Sequence, residues 1–205
     1  MGGEVNSKLA VLAILELPIC AATLTFEPAP EITLRVVNEA NIDSSVLSHS
    51  EKAAAIILSE AGVHVSWLNC IAGYVNWKAA DDCSRLPGPR QLDLRIVNER
   101  PRVVDPFALG FTVIPNPPGE VHPFAAVFYP GVERFVREWN ADAFQVVASA
   151  MAHEIGHLLL GPDAHSSRGI MSAHWGRQQW IRMSIGSFLF TPDEAARLRR
   201  VIAGL

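Results

Sequence analysis

The sequence predicts a single α+β domain built on a mixed sheet, and three observations carry that expectation. An alternating apolar stretch, a helical stretch and a second alternating stretch follow one another in the first third of the chain. Two later apolar runs, 107–114 and 124–129, are crowded by Pro106, Pro115, Pro117, Pro118, Pro123 and Pro130. A long apolar helix then ends at Gly161-Pro162. A β-α-β order favours a parallel strand pair with a right-handed crossover. Strands hemmed in by prolines, which lack the ladder N–H, belong instead at an edge or in a hairpin.

Each element has its own signal. Residues 32–37 alternate Ile32, Leu34 and Val36 against Thr33, Arg35 and Val37, the period of a strand with one strongly buried face. Ser48-His49-Ser50-Glu51 matches a capping box, with the Ser48 hydroxyl placed to accept from the Glu51 amide. The helix it opens carries Ala53, Ala54, Ile56, Ile57 and Ala61 and stops at Gly62. Residues 63–67 alternate again, and 91–97 do so through Leu92, Leu94 and Ile96. Between them, 70–90 reads as a loop closed by Pro87-Gly88-Pro89. Asp142 with Gln145 forms an N-cap pair ahead of Phe144, Val146, Val147, Ala150 and Met151, the start of a helix running to Leu160. Thr191-Pro192-Asp193-Glu194 opens a last helix with a cap, a proline at the first helical position and a capping-box acid.

Length and composition limit the choices further. A chain of 205 residues with 49% hydrophobic content fills one domain, expected over 23–205. A net charge of −4 leaves no basic surface, so nucleic acid is not an expected partner. Residues 1–22 read as a signal peptide: Lys8 precedes the mostly apolar run 9–20, and Cys20-Ala21-Ala22 supplies small residues for cleavage before Thr23. That run is too short to span a bilayer as a mature helix. Glu16 within it keeps a buried N-terminal helix as the competing reading. The expected destination is outside the cytoplasm, secreted or periplasmic. There Cys70 and Cys83 would pair as one disulfide, worth roughly 3 kcal/mol by chain entropy. In a cytoplasmic chain they would be two buried thiols.

The chemistry concentrates in 153–171, which reads HEIGHLLLGPDAHSSRGIM. Four residues on a helix turn through about 400°, so His153 and His157 share a face one turn apart and can reach one ion. Zn2+ suits neutral imidazole, and a catalytic site takes three protein ligands and keeps a position open. Glu154 lies about 100° around the helix from His153. It is placed to take a proton from an activated water without ligating the metal. A surface helix with two solvated histidines is the bland alternative, and Leu158-Leu159-Leu160 speaks against it by burying more than one face. The third ligand is either Asp163 or His165.

His153, Glu154, His157, the turning Gly161, the later His165 and Gly169-Ile170-Met171 together resemble the metzincin clan of zinc peptidases. The resemblance is specific over 153–171 and covers 31–205 in outline. It implies a zincin-like twisted mixed sheet with an antiparallel edge strand, an active-site helix, a Met-turn at Met171 and a C-terminal helix. It also implies a zinc endopeptidase acting on a peptide or protein substrate, with Glu154 as general base. This chain departs from the clan's HExxHxxGxxH, having Leu160 and Asp163 where the glycine and the third ligand would fall. Counting along the pattern therefore nominates Asp163. A helix one residue longer turns its exit by about 100°, and one further loop residue then brings His165 back. Zinc's preference for imidazole and the pair His165-Ser166, common in the clan, favour His165. No tyrosine follows Met171, so the clan's extra tyrosine ligand is not expected. His174 lies beyond the methionine, and His49, His64 and His122 read as surface or capping histidines. Residues 171–180 would wall the substrate pocket. The competing function is an exported zinc-binding module without turnover.

Overall fold

Alternation in the first strand decides where the core lies. In the computed structural model, which describes residues 29–70, 83–115 and 122–205, Ile32, Leu34 and Val36 of β1 (Glu31–Asn38) are buried on one side. They meet Ala54 and Leu58 of α1 (Ser44–Glu60) and Met151 and Ile155 of a long later helix in a single cluster. Each of the larger of these side chains contributes about 1.5–3 kcal/mol by leaving water. The expected signal peptide lies outside the described residues.

The sheet adds β2 (His64–Cys70), β3 (Gln91–Val97), β4 (Gly110–Val113) and β5 (Phe124–Phe128) in the order β2-β1-β3-β5-β4. β2, β1, β3 and β5 run parallel, with Leu34 opposite both Trp67 and Leu92. β4 alone is antiparallel, paired to β5. The molecule is thus α+β with a mixed sheet, and the proline-flanked run 107–114 does supply its edge. Only four of those residues are strand: Pro106 and Pro115 flank the run, and Ala108 N–H closes a turn on Asp105 O at 3.1 Å.

On the opposite face Arg35 is nearly buried between strands. Its Nε lies 2.9 Å from Asp93 Oδ1 on β3, and its guanidinium donates to Arg85 O at 2.7 Å and Cys83 O at 3.3 Å. Cys83 is disulfide-bonded to Cys70 at the end of β2, the pairing expected from the sequence. One arginine thereby ties the segment after the disulfide to the sheet.

One helix start and one helix cap differ from the sequence reading. α1 begins one turn before Ser48: Asp43 is the N-cap, accepting from Ser45 N–H at 2.7 Å. Ser48 lies inside the helix and Glu51 is buried there, so their spacing reflects helix interior and not a box. α3 (Ala143–Leu160) does start after Asp142, but without the expected side-chain bond, and Gln145 Oε1 finds no partner among the described residues. The box at Thr191 forms as predicted in α5 (Pro192–Ala203), with Thr191 N–H to Glu194 Oε2 at 2.7 Å and Glu194 N–H to Thr191 Oγ1 at 3.3 Å.

The sequence reading did not foresee α2 (Tyr129–Trp139) or α4 (Arg177–Ser184). Pro130 sits in the first turn of α2, where its missing N–H costs nothing. Val132, Phe135, Val136 and Trp139 then repeat at helical spacing, a signal that was present in the chain. α3 is buried along most of its length, packed against α1, α2, α5, β4 and β5. Its length and apolarity would suffice to cross a membrane, but its surface is covered by its neighbours.

Candidate metal centre

α3 carries His153 and His157 on one face, and burial desolvates both. Their imidazoles are driven down from the ordinary 6.5, His153 to about 4, because charging a ring in this interior is unfavourable. Both are therefore neutral at physiological pH. His153 Nδ1 lies 2.7 Å from Ile170 O, and His157 Nδ1 lies 3.2 Å from Gly161 O. A carbonyl can only accept, so each Nδ1 carries the proton and each Nε2 presents a lone pair.

Those lone pairs face one another. His157 Nε2 is 3.1 Å from His153 Nε2 and 3.1 Å from His165 Nε2, and the three nitrogens lie within 4.8 Å of one another. Two bare acceptors at that separation repel unless a cation stands between them. Tetrahedral zinc with nitrogen ligands near 2.0–2.1 Å would set them about 3.3 Å apart, close to what the chain already holds. The donor set thus fits a single divalent ion of borderline softness.

The supporting chain explains the convergence. Gly161 ends α3 with φ +99°, a conformation that L side chains rarely adopt, and its N–H returns to His157 O at 2.9 Å. The turn leads through exposed Asp163 to His165, whose neighbour Ser166 donates its N–H to Met171 O at 2.9 Å. Asp163 is not in the cluster, so His165 is the residue that the longer turn brings back. Met171 is fully buried, and its sulfur lies so close to Gly156 that a Cβ there would overlap it. Ile170, one residue earlier, donates its N–H to Leu189 O at 2.9 Å while its own carbonyl orients His153. Trp175 closes the other side, edge-on to His153 at 5.4 Å, with its indole N–H on Ser172 O at 2.9 Å.

Glu154 stands beside the cluster without joining it. It is 5% exposed, and burial pushes its carboxyl up to about 8 against the lowering effect of a hydrogen bond from Thr112. A dication nearby would favour the carboxylate. Glu154 and the three histidines line one cleft of about 610 Å³, open to solvent. Its walls include Ala173, His174 and Trp175 from the predicted 171–180 segment, and Phe135 and Trp139 from the unforeseen α2. His174 lines the cleft outside the cluster, whereas His49, His64 and His122 are absent from both.

No family model matches the chain, and no curated protein shows significant similarity to it.

Proposed function

We propose that this protein is an exported zinc endopeptidase of the metzincin kind, cleaving peptide bonds in a peptide or protein substrate. One observation carries the reading: an acid that is not part of the histidine cluster stands beside it in an open cleft. A structural zinc site takes four protein ligands and has no use for such an acid. His153, His157 and His165 would hold the ion. Bound there, zinc supplies Lewis acidity, which polarises a carbonyl and lowers the pKa of water. Glu154 takes the proton of the attacking water on its carboxylate and gives it up to the leaving amine. β4 is an edge strand beside that cleft, suited to receive an extended peptide as an added strand. The Cys70–Cys83 bond supports export, since such bonds persist in oxidising compartments.

The test is Glu154→Gln, nearly isosteric and lacking the base. Purified protein should hold about one zinc per chain in both forms, because three ligands converge on one open site. Hydrolysis of a mixed peptide library should fall on the order of 10²–10⁴-fold in the variant. Phenanthroline should abolish wild-type cleavage and added zinc restore it. A fully zinc-loaded wild type that cleaves nothing and matches Glu154→Gln would make the protein a zinc-binding module without turnover.

A further inference from the structure

The backbone and side chains of β4 face different tasks. Phe128 N–H donates to Leu109 O at 2.8 Å, and the register places Gly110 opposite Val127 and Thr112 opposite Ala125. Backbone hydrogen bonding alternates along an antiparallel ladder. Phe111 and Val113 therefore turn their backbone groups towards β5 as Leu109 does, and Gly110 and Thr112 turn theirs to the open edge. On the side-chain face the same two positions meet Glu154. Thr112 Oγ1 lies 2.8 Å from Glu154 Oε2 and 3.1 Å from Glu154 O. A Cβ on Gly110 would stand 2.7 Å from Glu154 Oε1, 2.8 Å from Glu154 Cγ and 2.5 Å from Ala126 O.

We infer that Thr112 is the positioning residue for the Glu154 carboxyl, and that a peptide strand docked on β4 fixes both at once. The catalytic consequence rests on the peptidase reading; the positioning itself does not. Glu154 is 5% exposed, so little water reaches it from the cleft, and Thr112 is its one side-chain hydrogen-bond partner among the described residues. Holding Oε2 leaves Oε1 as the free oxygen, in the space that Gly110 keeps clear by having no side chain. A peptide bonded to the outward N–H and C=O of Gly110 and Thr112 would fix the strand's dihedrals and so the direction of the hydroxyl. Occupying the cleft and aiming the base then become one event.

Thr112→Val keeps the shape and deletes the hydroxyl, whereas Thr112→Ser keeps the hydroxyl. A hydrogen bond to a charged group of this kind is worth a factor of about 10–100 in rate. In the zinc-loaded full-length chain, Thr112→Val should lose that factor in kcat with KM and zinc content near wild type, and Thr112→Ser should recover most of it. Thr112→Ala replaces the valine variant if the latter fails to fold. A second measurement needs no turnover: the isotope-edited infrared band of the Glu154 carboxyl should shift in Thr112→Val and stay in place in Thr112→Ser. If the wild type cleaves no peptide, the peptidase reading fails alone and the band decides the role of Thr112. An unshifted band, or valine and wild-type enzymes with equal kcat, overturns the inference.

Discussion

Raising the pH of the metal-free protein from 6.5 to 8 should lower its stability, with Glu154 as the cause. The folded chain holds this carboxyl at about 8, against an ordinary 4.5, so it keeps a proton that the unfolded chain has released. A group raised on folding stabilises fully below its unfolded value, and that contribution is lost as pH climbs to the folded one. His153 acts in the opposite sense. Burial drives it from 6.5 to about 4, so its contribution is present above 6.5 and lost as pH falls towards 4. Between 4.5 and 6.5 the two slopes oppose each other, with His157, also lowered by burial, on the side of His153. Above 6.5 the Glu154 slope dominates; at about 1.4 kcal/mol per full pH unit, flattening towards the folded value near 8 and partly offset by the residual histidine slope, it gives a loss of roughly 1–2 kcal/mol. Urea unfolding in chelator at several pH values between 6.5 and 8 should show this decline in the wild type and a nearly flat line in Glu154→Gln. Saturating zinc should shrink the wild-type slope, because a dication favours the carboxylate. Parallel declines in wild type and Glu154→Gln would refute the assignment of the linked proton.

Two further outcomes follow from the site and the disulfide. His165→Ala should abolish tight zinc binding, while Asp163→Ala should leave the metal content measured by atomic absorption near one per chain; the reverse would make Asp163 the ligand. Protein recovered from outside the cytoplasm should begin near Thr23 by N-terminal sequencing, and its Cys70 and Cys83 should resist alkylation until reduced. An intact N-terminus with two free thiols would overturn export.

The legible parts of the chain were those governed by local period and local chemistry. β1 and β3 show their burial in the alternation of Ile32, Leu34 and Val36 and of Leu94 and Ile96. The helical spacing of His153 and His157 was likewise readable, because a helix fixes which residues share a face. Ser48 misled because a serine three residues before a glutamate also occurs inside helices, and only tertiary packing shows that Glu51 is buried. α2 is hard to see in the sequence because its opening proline follows a strand without a turn, so Pro130 resembles a terminator of β5 when it is a starter of the helix. Thr112 was illegible for a different reason. It is one polar residue in an apolar run, and nothing local reveals a partner 42 residues away.

That distance matters for how the protein would fail. The three clustered histidines come from 13 consecutive residues, 153–165, and the carbonyls that orient two of them come from Gly161 and Ile170. The acid beside them depends on a four-residue strand at the rim of the sheet, held on one side among the described residues. Such rim segments open locally at far lower free energy than the whole domain unfolds. Mild heat or denaturant should therefore release Glu154 from its partner while the short histidine-bearing stretch remains able to hold an ion. Metal content would then overstate the fraction of competent molecules, and a preparation could be fully loaded yet largely idle.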